Sequence, residues 1–121
     1  MEPNIVFVND KGIIEIHVIG DQTTHSVQAM GDEALRLAQL RRDAGQPVLI
    51  LDNILQIGQV PPEGRKTVVE YGKKIEYKRL AMLGKGSMLR LGANLLIQAV
   101  GKGSQVRYFD DEVAAVAWLL S

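Results

Sequence analysis

Few residues in this chain are typed and spaced for chemistry, and Asp52-Asn53 holds the best position. The pair follows the apolar run Val48-Leu49-Ile50-Leu51, a continuous run that reads as a strand covered on both faces. Asp52 and Asn53 then fall at the carboxyl edge of a sheet, where open α/β sheets bind ligands. The plainer reading is that Asp52 caps the loop backbone, as Asx side chains do. Residues 54–61 read as a long βα loop that carries Ile54, Leu55, Ile57 and Val60. Apolar side chains exposed on such a loop suit a partner or an oily ligand, and they equally suit a loop folded back over the core. With Pro61, Pro62 and Gly64 they complete the candidate binding set.

A second candidate is Gly84-Lys85-Gly86-Ser87, which joins a strand to a helix. Free backbone N–H groups and the ammonium make Lys85, Gly86 and Ser87 a candidate anion site. The P-loop spacing is absent, and a dinucleotide fingerprint would need glycine where Leu89 stands. A turn followed by an N-cap explains the same residues. His25, Asp52 and Ser87 are the types of a hydrolytic triad, but no Gly-x-Ser-x-Gly elbow accompanies them. His17 and His25 lack metal-ligand spacing, and the chain has no cysteine. No metal, cofactor or thiol nucleophile is therefore expected, and the chain reads as a binder without enzymatic activity.

Composition narrows the partners. Fourteen basic residues balance fourteen acidic ones, which disfavours nucleic acid and leaves little repulsion against self-association into a homodimer. The opening residues lack a charged stretch followed by a long apolar one, so no signal peptide is expected. The longest apolar run, residues 91–100, is too short to span a bilayer and contains Asn94 and Gln98. A cytoplasmic location follows as the expectation.

The elements that must position these residues can be read in order. Residues 5–8 and 13–19 form a hairpin across Asn9-Asp10-Lys11-Gly12, with Ile14, Ile16 and Val18 on one apolar face. A helix over about 24–44 carries the stripe Val27, Met30, Ala34, Leu37 and Leu40 and stops at Gly45. Pro62 suits the first position of a second helix reaching about residue 77, with Val68, Tyr71, Gly72 and Ile75 inward. Strand 80–83 leads to a third helix capped by Ser87, whose stripe is Met88, Leu91, Leu95 and Ala99. That helix is the most apolar and is expected to be the most buried. Strand 106–109 and a helix capped by Asp110, with Val113, Ala117 and Leu120 on one face, close the chain. Alternating strands and helices imply a mainly parallel five-stranded sheet with four helices, an α/β fold in one domain over residues 1–121. Leu49, Leu51, Ala81 and Leu83 would need cover from the first helix or a second subunit.

This succession resembles the SpoIIAA-like group, related to the STAS domains of bacterial anti-sigma-factor antagonists. The strand ending Leu51-Asp52, the turn Gly84-Lys85-Gly86, and the closing Tyr108-Phe109-Asp110-Asp111-Glu112 and Ala115-Val116-Ala117-Trp118-Leu119 carry the likeness. The resemblance implies a β-α superhelix and a regulatory role through binding a protein partner. In the relatives a kinase phosphorylates Ser or Thr in an Asp-Ser-Ser/Thr-Gly turn. Here the region reads Gln59-Val60-Pro61-Pro62-Glu63-Gly64, which keeps Gly64 and has no hydroxyl. Thr67 lies one turn further on in a different context, so the phosphoacceptor is not carried over. The wider group is similar to lipid-binding CRAL-TRIO folds, which raises the alternative of a small apolar ligand held between residues 54–61 and the second helix.

Overall fold

The computed structural model describes residues 3–121; Met1 and Glu2, part of the expected 1–121 domain, lie outside the described residues. Among the described residues an opening pair of strands is followed by alternating helices and strands, five strands and four α-helices in all. They are β1 (Ile5–Val8), β2 (Ile13–Gly20), α1 (Thr24–Asp43), β3 (Leu49–Ile57), α2 (Pro62–Lys74), β4 (Arg79–Leu83), α3 (Ser87–Val100), β5 (Val106–Phe109) and α4 (Glu112–Leu120). The sheet order is β1-β2-β3-β4-β5. β1 runs antiparallel to β2, and every other pair is parallel.

Local chemistry explains the opening hairpin. Asn9 Oδ1 accepts from the N–H groups of Lys11 and Ile13. Gly12 takes φ +80°, a left-handed value open to glycine at little cost. α1 begins in a capping box: Thr23 Oγ1 accepts from Ser26 N–H, and Ser26 Oγ accepts from Thr23 N–H. Pro62 stands at the first helical position of α2, as its fixed φ favours.

Helices cover both faces of the sheet, and the period of two along each strand divides the side chains between them. Ile14, Ile16, Val18, Ile50, Ile54 and Met82 face α1, α2 and α3. Ile13, Leu49, Leu51, Ala81 and Leu83 face α4 and pack on Ala115 and Leu119. The cover expected from the first helix or a second subunit thus comes from the chain's own last helix.

Three expectations change. The first concerns residues 54–57, which are strand and not loop. Asp52 and Asn53 do not end β3; they pair with Ile16 and His17, and β3 continues past a register shift to Gln56↔Ile19 and Ile57↔Gly20. Beyond Asn53 it has only β2 as a neighbour, because β4 ends at Leu83. The second concerns α3. Its outer stripe is exposed, with Met88 at 82% and Leu91 and Leu95 each at 59%, and Ala93 is its only buried residue. Leu89, Leu96 and Ile97 turn inward instead. The third concerns α4, whose buried residues are Ala115 and Leu119, while Val113, Ala117 and Leu120 face out. A helix apolar on nearly every side gives no reading of which side is inside.

Helix limits also shift. α2 stops at Lys74, short of residue 77, and Gly86 and Asp111 are the caps of α3 and α4 where Ser87 and Asp110 were expected. In α1, Leu40 is 53% exposed, and Gly31 and Ala38 take part in the buried face. Gly31 is required there: a Cβ would stand 2.6 Å from the Tyr71 ring of α2.

Candidate functional site

Above the middle of the sheet the helices leave a cavity of about 420 Å³. Its floor is Val18 of β2, Asp52 and Ile54 of β3 and Met82 of β4; its walls come from α1, α2 and α3. Val27 and Met30 approach from α1, Val68 from α2, and Leu89, Ala93 and Leu96 from α3. The small side of α3, Gly92 and Ala93, leaves the space that a larger residue would fill. Ile57, Gly58 and Val60 extend the wall toward an adjoining cleft, also lined by Asp21, Gln59, Pro61 and Pro62. Gln22, Val60 and Arg65 border both.

The junction of cavity and cleft is held by two backbone–backbone bonds and one to a side chain. Gly58 N–H donates to Gly20 O at 2.8 Å, Gln22 N–H to Gln59 O at 2.8 Å, and Gln59 N–H to Asp21 Oδ1 at 2.8 Å. Glycine is needed at position 58 because a Cβ would meet Asp21 Oδ1 at 2.2 Å and the Asp21 backbone nitrogen at 2.7 Å.

Polar groups around the cavity differ in how they are satisfied. Buried Gln22 is fully engaged: its amide NH2 donates to Asn4 Oδ1 and to the carbonyls of Ile19 and Gly20, and its Oε1 accepts from Asn4 and Ser26. Arg65 Nε donates to Val60 O at 2.9 Å. Asp52 Oδ1 is buried and has no hydrogen-bond partner among the described residues. Burial raises the Asp52 carboxyl from its usual 3.8 to about 7, and His17 on the neighbouring strand pulls weakly the other way.

The residues singled out from sequence are dispersed. Asp52, Ile54, Ile57 and Val60 border the cavity, and Pro61 and Pro62 line the cleft. Asn53 points to the opposite side of β3 and takes the Asx role considered for Asp52, its Oδ1 accepting from Leu55 N–H at 3.0 Å. Leu55 is 46% exposed, and Gly64 is buried against Val60 and Pro61. Lys85, Gly86 and Ser87 are exposed at the start of α3, and no side chain caps that helix. Thr67 is buried and donates to Glu63 O at 3.1 Å. Of the triad types, His25 and Ser87 are exposed at helix starts, while Asp52 Oδ1 stays without a partner. Sequence reasoning missed Val27, Met30, Val68, Leu89 and Ala93 as cavity residues; they carry the ordinary pattern of core positions.

No protein-family model matches the chain, and no curated protein does. Solved structures do match. An uncharacterised protein of the DUF3478 family from Shewanella loihica PV-4, with a SpoIIAA-like fold, aligns over 96% of this chain and 91% of its own at TM-score 0.69 and 17% identity. The anti-sigma factor antagonist SpoIIAA in its unphosphorylated form aligns over 98% of both chains at TM-score 0.64 and 12% identity. The chain has the SpoIIAA-like fold. At these identities the likeness is one of architecture: sheet order, opening hairpin and four helices. Among the described residues, no helix is long and apolar enough to cross a membrane, and no cluster of three metal-ligating side chains occurs.

Proposed function

We propose that this SpoIIAA-like chain is a carrier or sensor that binds a small apolar ligand between its sheet and helices α1–α3. The observation that carries this reading is the cavity itself. Its volume of about 420 Å³ falls in the range of about 300–1,000 Å³ typical of ligand sites, and its lining is mostly Val, Leu, Ile, Met and Ala. It is a concave apolar surface partly open to solvent, the form that small-molecule sites take. The polar cleft at Asp21, Gln59 and Arg65 offers an entrance.

The test is native mass spectrometry of the purified protein, followed by titration with a fluorescent apolar probe. A small molecule present in the native spectrum and lost on denaturation, or probe binding that Val68→Trp abolishes without unfolding the protein, supports the reading. Probe binding unchanged by Val68→Trp refutes it.

A specific observation favours a second reading, a regulatory protein-interaction module. Met88 and Leu91 are exposed apolar residues on the outer side of α3, with Leu95 at the cavity rim, and SpoIIAA, which shares the architecture, is an anti-sigma factor antagonist. The two readings share α3, whose inner side borders the cavity. A partner or a second copy of the chain held on the outer side would be lost with Leu91→Glu, while probe binding would remain.

A further inference from the structure

We infer that the cavity selects an apolar amine, bound as its ammonium ion against Asp52. This rests on the ligand-binding reading above and names the chemistry of that same site. Three observations carry it. Asp52 lies in mid-sheet, with Ile16 and Met82 beside it in register and Ile50 and Ile54 as its neighbours on the same face of β3. Its Oδ1 is buried without a partner and the residue borders the cavity. The other polar side chains at the cavity, Gln22 and Arg65, already bond to protein groups. Among the described residues the folded chain thus leaves Asp52 Oδ1 without a partner, on a carboxylate residue that borders an apolar site.

The choice among ligand classes follows from magnitudes. A carboxylate ligand would place two like charges together, which disfavours ionisation of both. An alcohol would supply one neutral hydrogen bond, worth about 1 kcal/mol net. An ammonium supplies a charge-assisted bond of roughly twice that strength. Folding has already buried Oδ1 without a partner among the described residues, so a cation beside this half-buried carboxylate supplies a missing counter-charge. At about 30 Å³ per heavy atom, the volume of one liquid water, the cavity holds on the order of a dozen such atoms.

Charged and titratable groups near Asp52 are few. His17 comes from β2 and Arg65 from α2. At the cavity, α1, α3 and β4 contribute only apolar residues, Val27 and Met30, Leu89 and Leu96, and Met82 among them. Among the described residues Arg65 is the one cation lining the cavity, and its Nε is held by Val60 O.

The experiment compares octylamine, octanol and octanoate on the intact chain by calorimetry at pH 5 and pH 8, with Asp52→Asn alongside. Octylamine is expected to bind at least about tenfold tighter than octanol at pH 8. That preference shrinks toward unity at pH 5, where Asp52 holds its proton, and disappears in Asp52→Asn while octanol still binds. A second readout is the Asp52 carboxyl titration by carbon NMR, which octylamine shifts downward and octanol leaves in place. Octanol or octanoate binding as tightly as octylamine at pH 8 overturns the amine inference and leaves the cavity reading standing. Failure of all three probes, together with probe binding unaffected by Val68→Trp, overturns both.

Discussion

The two faces of the sheet are built to different standards. On the α4 side, Ile13, Leu51, Ala81, Leu83, Ala115 and Leu119 are each at most 2% exposed, and this apolar centre is bordered by Arg79, which donates to the Trp118 carbonyl. On the side of α1, α2 and α3, the same strands border a cavity with an unpaired carboxyl at its floor. The smaller face is covered by one nine-residue helix; the larger by three helices that meet incompletely over β3 and β4. Dense packing on one side gives the fold its rigidity, and incomplete packing on the other leaves room for a ligand. A protein that needed both faces only for stability would gain from replacing Asp52 with an apolar residue that fills the gap.

The largest effect expected from this comparison is in the dense face. Leu51→Ala should cost about 2–5 kcal/mol in urea denaturation, because that side has no space to absorb a void. Val68→Ala, in the cavity wall, should cost less than half as much. Equal losses would erase the distinction between the faces.

Asp52 gives the next effect, and its sign follows from linkage. The folded protein holds the Asp52 proton up to about pH 7, while the unfolded chain releases it near 3.8. Below 3.8 both states are protonated and the carboxyl carries no extra penalty. From about pH 4 to about pH 7 the penalty on the folded state grows, and above 7 it is complete. Asp52→Asn removes it, so the variant's stability relative to the native chain should rise across that window by on the order of 2–4 kcal/mol. Denaturation curves at pH 4 and pH 8 measure this, and a pH-independent difference would mean that the carboxyl reaches water.

Gly58→Ala should follow, at about 1–3 kcal/mol, since its Cβ would strike Asp21 backbone as well as side chain and would prise open the junction of cavity and cleft. Its melting temperature should fall together with probe affinity. Two positions near the end of β3 also differ: Ile57→Ser should destabilise through its contact with the core, and Leu55→Ser should change little.

The smallest effect belongs to the outer side of α3. Met88→Ser and Leu91→Ser should shift stability by no more than about 0.5 kcal/mol, as is usual for exposed positions. A larger loss that depends on protein concentration in sedimentation would show that this stripe is covered by a second copy.

The sequence by itself determined the element order, the hairpin, the parallel sheet and Pro62 at the first position of α2, because each is written in local periodicity and turn chemistry. Ile14, Ile16 and Val18 could be assigned to one face since a strand repeats every two residues. Asp52 was legible as a candidate from its place at the end of an apolar run. Tertiary structure alone decided which side of α3 and α4 is buried, because helices apolar nearly all round carry no unambiguous stripe. It also decided that β3 runs on to Ile57, since that extension depends on pairing with β2, more than thirty residues earlier in the chain. The cavity belongs to the same class. A void is the shortfall between the volumes of side chains from six elements, and no local window of sequence contains that sum.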